Sequence, residues 1–158
     1  MVDSRVLSDP ERRLLEELVA RRVRFLVVGM SAALLQGARG STEDIDLWFA
    51  DVSDPAIAAS VRAAGGIWIS GSFGMGPPRI GGEVLGDRFD VVTTMSGLPD
   101  FDTEFLGAIR EVVDGVELPV LPLRRILESK RAAGRPKDLA AIPAIEDALA
   151  VIERLESR

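Results

Sequence analysis

Two aspartates, Asp44 and Asp46, interrupt a segment that otherwise has the composition of a buried strand, DIDLWF. Side chains on a strand alternate between its two faces, so both carboxylates are expected on one face, roughly 7 Å apart along the backbone. Two like charges at that distance repel each other unless a cation lies between them. Because aspartate is depleted in strands, the pair predicts a divalent-metal site as readily as it predicts a solvated strand edge.

Asp90 is the expected third carboxylate of this site. It lies in the apolar segment FDVV, residues 89–92, where burial of an unpaired acid would cost free energy unless the acid binds a partner. Asp87, in the preceding turn-like GDR, is the alternative, although its surroundings are more typical of a loop. The sequence therefore predicts that Asp90 joins Asp44 and Asp46.

A strand-to-helix turn, FLVVGMSAALLQG at residues 25–37, supplies a second part of the expected site. Glycine at the end of a strand lets backbone amides turn toward a ligand, and the helix N-terminus that follows favours phosphate. Gly29, Met30 and Ser31 are therefore candidates for phosphate binding, with the Ser31 hydroxyl as an additional donor. Alone the turn is a weak signal, because it matches neither a P-loop nor G-x-G-x-x-G.

The 158-residue chain contains no cysteine, no histidine and no tyrosine. Their absence excludes disulfides, thiolate chemistry, Cys/His zinc sites and serine–histidine relays. Acid–base catalysis must then fall to carboxylates, lysine, water or a metal ion. Mg²⁺ or Mn²⁺ is the natural metal, since both prefer oxygen ligands.

The formal net charge of −6 disfavours a duplex-DNA partner. Basic residues nevertheless concentrate at residues 124–138, which contain both lysines of the chain, Lys130 and Lys137. The arginines of this segment are more typical of a solvated helix face, whereas an RNA acceptor reached through the segment is the alternative. No apolar run is long enough to cross a membrane and no export signal is visible, so we expect a cytoplasmic protein.

Helix and strand signals mix without regular alternation, which predicts one α/β (α+β) domain over residues 1–158 with a mixed sheet flanked by helices. The core is expected at about 24–120 and the C-terminal helices at about 122–157. Two further expectations concern local structure. Residues 79–95 should form strand, turn and strand, with Val84 and Leu85 in the first strand, and the glycine-rich segment 71–76 around Met75 should form a mobile hairpin or lid. Trp48 and Trp68 are expected in the core, with base stacking as the alternative for one of them.

Together, VVGMSAALLQG and TEDIDLWF resemble the signature of the nucleotidyltransferase superfamily, the DNA polymerase β-like fold. In that signature a strand, a Gly-Gly or Gly-Ser turn and a short helix precede Asp-x-Asp, and a third aspartate lies on a later strand. Gly29 matches the turn, Asp44 and Asp46 match the pair, and Asp90 fits the third acid. Met30 departs from the pattern, so Ser31 would supply the hydroxyl one position later.

Residues 121–149 are similar to the end of minimal nucleotidyltransferase-like proteins, some of which are toxins of toxin–antitoxin systems. In those proteins a lysine near this position faces the triphosphate. Lys130 is the match, and Lys137 and Asp138 are second candidates.

The resemblance implies metal-dependent transfer of a nucleoside monophosphate from an NTP to an acceptor. Asp44, Asp46 and Asp90 would hold Mg²⁺ or Mn²⁺, and Asp90 would accept the acceptor's proton. The acceptor could be a protein hydroxyl, a tRNA end or a small molecule such as an aminoglycoside, and a partner protein or a homodimer would help to build its site. The alternatives are a catalytically inactive relative acting as a nucleotide sensor, antitoxin or partner subunit, and a protein–protein module with a purely structural Asp pair.

Overall fold

The computed structural model of the chain describes residues 5–71 and 76–158. Its helices are α1 (Asp9–Ala20), α2 (Gly29–Leu35), α3 (Pro55–Ala63), α4 (Phe101–Phe105), α5 (Leu123–Ala133) and α6 (Pro136–Glu156). Its strands are β1 (Phe25–Val28), β2 (Ile45–Phe49), β3 (Ile67–Ile69), β4 (Arg79–Gly81), β5 (Phe89–Val92), β6 (Ile109–Val113) and β7 (Val116–Val120).

Five of the strands form one mixed sheet in the order β5-β2-β1-β7-β6. β1 pairs antiparallel with β2 and parallel with β7, while β2 pairs parallel with β5. β3 and β4 form a separate antiparallel pair. The predicted architecture, a mixed sheet flanked by helices, is confirmed.

The interior of the molecule is built around β1, whose four residues are all buried. An apolar stripe of α1, made by Leu14, Leu15 and Leu18, is also fully buried. Trp48 of β2 lies in this core, as expected, with its ring edge-on to Phe101. These large side chains fix the central strands, and the site residues described below lie at the ends of those strands.

Local capping signals explain where several elements begin and end. The Ser8 hydroxyl and the Glu11 carboxylate form a reciprocal capping box at the start of α1. Asp114 and Gly115 both have positive φ, which is the geometry of the tight turn that joins β6 to β7. Gly134, also at positive φ, ends α5 and separates the two C-terminal helices.

The predicted first strand of the 79–95 segment is shorter than expected. β4 ends at Gly81, and Val84 and Leu85 lie in the turn that follows. Gly82 has a φ of 99°, so the backbone leaves the extended conformation before it reaches Val84. Leu85 is nevertheless buried, which accounts for its apolar character without a strand.

Pro143 lies inside α6, which already begins at Pro136 with Asp138 capping its first turn. The segment around Met75, expected to be a hairpin or lid, includes residues 72–75, which lie outside the described part of the chain.

No helix within the described ranges combines the length and the hydropathy that crossing a bilayer requires.

Candidate active site

Strand register brings two of the expected carboxylates together. Asp46 lies opposite Val28 of β1 and, on its other side, opposite Asp90 of β5. Because β2 and β5 run parallel and these two aspartates are direct neighbours, their side chains lie side by side on one face of the sheet. Asp44 immediately precedes β2 instead of lying within it, and its carboxylate also acts on Asp90. Asp46 and Asp90 are therefore neighbours near the start of β2 and β5, and Asp44 lies close enough for its charge to act on both.

The environment of Asp46 disfavours its ionised form. Burial raises the pKa of Asp46 to about 6, and the negative charges of Asp90 and Asp44 contribute further in the same direction. The positive charge of Lys130 acts in the opposite direction but does not cancel these effects. Ionisation of this carboxylate at neutral pH therefore lowers the stability of the folded protein, and a cation bound beside it would offset that loss.

Asp90 lies on β5, which is the edge strand of the sheet, and the residue is exposed. Partial desolvation of the carboxyl group and the charge of Asp44 nevertheless raise its pKa above the ordinary value for aspartate. Lys137 opposes this shift through its charge. Asp90 is therefore a stronger base than an isolated aspartate, and solvent or a ligand can reach it.

The ion pairs of the described residues leave Asp44, Asp46 and Asp90 without a cationic partner. Within residues 5–71 and 76–158, no three acidic side chains stand as a preformed metal cluster. The donors nevertheless fit a hard divalent cation, because they are carboxylate oxygens that repel one another, and the charges of Lys130 and Lys137 only partly offset that repulsion. A bound ion would remove the repulsion that raises the pKa of Asp46.

Gly29 lies against Asp46. It has a φ of 65°, and a Cβ built on it would stand 2.2 Å from the Oδ2 atom of Asp46. Any side chain at this position would both strain the backbone and displace the carboxylate. The glycine turn is therefore part of the same site as the acidic cluster, whatever ligand the site binds.

The structure gives the Ser31 hydroxyl different contacts from those expected of a phosphate ligand. Ser31 is buried, and its hydroxyl donates to the backbone oxygen of Val28 at 2.8 Å. The Ser31 Oγ atom also accepts a hydrogen bond from the backbone N–H of Asp46 at 3.2 Å. The single hydroxyl proton is thus already donated, and Ser31 ties β2 to the start of α2.

Both lysines of the chain face the acidic cluster. Lys130, near the end of α5, is ion-paired with Asp138 at 3.1 Å, and its charge acts on Asp46. Lys137, in the first turn of α6, is exposed, and its charge acts on Asp90. The α5–α6 junction therefore places two cations opposite the three carboxylates.

Two cavities meet at the cluster. The larger, of about 820 Å³, includes Gly29 and Arg79 in its wall, and the smaller, of about 450 Å³, includes Met30 and Arg39. The residues that line both cavities are Asp46, Asp90, Lys130 and Lys137. Asp46 and Asp90 thus lie where the two cavities adjoin.

Sequence reasoning did not single out Arg39, Thr42 or Arg79, which line these cavities. Thr42 supports Asp44 directly, because its hydroxyl donates to the Asp44 backbone oxygen at 3.2 Å and lies 3.3 Å from its N–H. A threonine two positions before an aspartate is a recognisable turn signal. Nothing in the local sequence around Arg39 or Arg79 distinguishes them from the other arginines of the chain.

The five-stranded mixed sheet flanked by helices is the nucleotidyltransferase fold. The chain is similar to ANT(2'')-Ia in a crystal structure in complex with adenylyl-2''-tobramycin, with a TM-score of 0.59 and 16% identity over 92% of this chain and 90% of that chain. It is also similar to the solution structure of the antibiotic-resistance factor ANT(2'')-Ia, with a TM-score of 0.58 and 15% identity over 94% and 91%. No protein-family model and no curated protein matches the sequence. At these identities the likeness establishes the fold.

Proposed function

We propose that the protein is a metal-dependent nucleotidyltransferase that moves a nucleoside monophosphate from an NTP to an acceptor hydroxyl. The observation that carries the proposal is the parallel register of β2 and β5, which sets Asp46 beside Asp90 on a sheet of the nucleotidyltransferase fold. The Gly29 turn, the two lysines and the two cavities meet at the same place.

In the proposed reaction, the acceptor oxygen attacks the α-phosphorus of the NTP. A new P–O bond forms, the bond to the oxygen that bridges the α- and β-phosphates breaks, and pyrophosphate leaves. The acceptor's proton passes to the Asp90 carboxylate, whose raised pKa makes it a better proton acceptor than an ordinary aspartate. With no histidine in the chain, few other side chains could take this proton.

Asp44, Asp46 and Asp90 would hold Mg²⁺ or Mn²⁺ through their oxygens. A divalent ion bound there would supply positive charge to the phosphate oxygens of the substrate. Lys130 and Lys137 would add to that charge from the opposite wall, where they face both cavities. Gly29 and Met30 would flank the phosphates, while Ser31 would act through its backbone contacts.

The acceptor we propose is a small molecule with a reactive hydroxyl group. The larger cavity, at about 820 Å³, has the size of a small-molecule site. ANT(2'')-Ia has been crystallised with an adenylylated aminoglycoside, which makes aminoglycosides the first acceptors to try. A tRNA end or a protein hydroxyl, as expected of a toxin-type enzyme, are the other acceptors to test.

One observation favours a second candidate, a nucleotide-binding protein of this fold without transferase activity. Met30 replaces the second small residue of the turn, and the Ser31 hydroxyl is already engaged with the backbone. Such a protein would bind an NTP as a sensor or as the partner subunit of another protein, and would release no pyrophosphate.

The test has two stages. Calorimetry with each of the four NTPs, with Mg²⁺ and then with EDTA, measures nucleotide binding. Transfer of α-³²P label to tobramycin, to tRNA and to protein then measures the reaction. Asp46→Asn and Asp90→Asn are expected to abolish transfer, whereas Asp87→Asn, which removes an exposed carboxylate from the wall of the larger cavity, is expected to retain it.

Binding without transfer to any acceptor would favour the sensor. Absence of metal-dependent NTP binding in the native protein would contradict both candidates.

A further inference from the structure

We propose that Asp138 is a positioning residue that holds the ammonium group of Lys130 away from the three site carboxylates, so that they remain open to a cation. The inference rests on the proposed function, in which these carboxylates bind a divalent cation. It concerns the Lys130–Asp138 ion pair at the α5–α6 junction, in which Asp138 has no direct part in the proposed reaction.

Asp138 is the most deeply buried carboxylate of the described residues, with 0% of its surface exposed. Its Oδ1 atom accepts from Lys130 Nζ at 3.1 Å and from Arg135 Nη2 at 3.2 Å. Its Oδ2 atom accepts from Arg135 Nε at 2.6 Å and from the Arg135 backbone N–H at 3.2 Å. Both oxygens are thus fully engaged, and the carboxylate cannot itself serve as a ligand for a substrate.

Asp138 is ionised at neutral pH. Burial alone would raise its pKa, but the hydrogen bonds and charges of Arg135 and Lys130 outweigh burial and hold the pKa below the usual value. A buried carboxylate of this kind attracts the nearby ammonium strongly, because little water screens the pair.

Lys130 is the member of this ion pair that also lies beside the site carboxylates. Its side chain is only 17% exposed, it lines both cavities, and its charge is felt by Asp46. Its ion pair is nevertheless with Asp138 and with none of the site carboxylates. A lysine on a flexible four-carbon stem, facing two sets of carboxylates, occupies the better-compensated position, which Asp138 provides.

Loss of the Asp138 charge would reverse that preference. The ammonium would then move to the uncompensated carboxylates of Asp46 and Asp90, whose mutual repulsion it would relieve. In that position Lys130 would occupy the space that a divalent cation needs. Asp138 thus prevents the chain's own cation from closing the site.

Asp138 also has a structural part, since it caps the first turn of α6, so a loss of stability alone would not test the inference. The test is a titration with Mn²⁺ alone, in which proton relaxation enhancement measures the affinity. We expect Asp138→Asn to weaken Mn²⁺ binding about tenfold or more, equivalent to about 1.4 kcal/mol. Lys130→Met added to Asp138→Asn should restore affinity to within about threefold of that of Lys130→Met alone, because the competing cation is gone.

Glu104→Gln is the matched control. Glu104 is buried and forms two hydrogen bonds with Arg125, at 2.7 and 3.1 Å, away from both cavities. Its substitution should lower stability and leave Mn²⁺ affinity unchanged. Mn²⁺ affinity that is unaffected in Asp138→Asn, or that the added Lys130→Met fails to restore, would overturn the inference.

A second measurement separates this inference from the proposed function. In a crystal structure of metal-free Asp138→Asn, the ammonium of Lys130 should lie within salt-bridge distance of Asp46 or Asp90. If the native protein binds no Mn²⁺, the proposed function fails, and the position of Lys130 in the variant still decides the inference. An ammonium that stays beside residue 138, or that turns out to solvent, would overturn it.

Discussion

The α-carbon of Gly29 lies so close to the Asp46 carboxylate that a methyl group on it would stand 2.2 Å from Oδ2. The turn that starts α2 and the acid at the centre of the site are therefore packed against each other, with no room for a side chain between them. A glycine that the sequence suggests for its conformational freedom is needed equally for space.

Gly29→Ala is expected to damage both stability and ligand binding. A left-handed alanine costs about 1–2 kcal/mol, and displacement of the Asp46 carboxylate adds to that cost. We therefore expect the free energy of unfolding to fall by more than about 2 kcal/mol and Mg²⁺-dependent NTP binding to be lost. Urea unfolding and calorimetry measure the two effects.

Gly86→Ala is the matched control for Gly29→Ala. Gly86 has a φ of 57°, similar to the 65° of Gly29, but nothing lies within 4 Å of a Cβ built on it. Gly86→Ala should therefore lose only the stability that the positive φ costs an alanine, with no added steric cost. If the two alanine variants unfold at the same urea concentration, the contact with Asp46 is not what makes position 29 intolerant.

Asp46→Asn is expected to stabilise the metal-free protein in a pH-dependent way. The folded-state pKa of about 6 is raised above the unfolded value, so the folded protein holds this proton more tightly than the unfolded chain does. The contribution of Asp46 to stability is therefore complete below about pH 4 and is lost as the pH rises through 6. Asparagine does not ionise and avoids that loss.

The expected gain is on the order of 2 kcal/mol at pH 7.5 and near zero at pH 4, both in EDTA. Urea unfolding of the native protein and Asp46→Asn across this pH range measures it. A difference between the two proteins that does not change with pH would show that ionisation of Asp46 is not the cause.

Ser31→Ala tests whether the hydroxyl only holds the backbone or also binds phosphate. The alanine variant removes the acceptor of the Asp46 N–H and the donor to the Val28 oxygen. Unpaired buried backbone groups cost about 1–3 kcal/mol, so the free energy of unfolding should fall by that amount. If the hydroxyl acts only through the backbone, the calorimetric affinity of the folded variant for MgATP should change less than about threefold. A far larger loss of affinity would restore Ser31 as a phosphate ligand.

The features that the sequence itself indicates are those with local signals. The start of α1 is indicated by Ser8, which caps the helix, and the β6–β7 turn is indicated by the Asp114–Gly115 dipeptide. Asp46 and Asp90 stand out because each is an acid in an apolar strand. Local patterns of this kind survive folding because the backbone geometry that they favour is also the one that the tertiary structure uses.

The features that could not be predicted depend on which elements pack together. Nothing in the residues themselves says that β2 and β5 pair in parallel, although that register is what sets Asp46 beside Asp90. Leu85 is apolar because a turn buries it, and a strand is the usual but incorrect interpretation of that pattern. The burial of Asp138 against Lys130 likewise arises only when α5 folds back on α6.

Lys137 is the lysine whose removal should report on substrate charge without disturbing the fold. It is exposed, it lines both cavities, and its charge acts on Asp90. Lys130 cannot serve this purpose, because its loss would leave the buried Asp138 with one fewer cation. We expect Lys137→Gln to weaken MgATP binding about two- to fivefold, since exposed charges contribute modestly.

The salt dependence of the binding should also become shallower in Lys137→Gln, because one screened charge interaction is removed. Calorimetric titrations at several NaCl concentrations measure both effects. Arg154→Gln, which removes an exposed cation from the last turn of the same helix, is the matched control and should leave affinity and salt dependence unchanged. Equal losses in the two variants would mean that the overall charge of the protein, and not a lysine at the site, attracts the nucleotide.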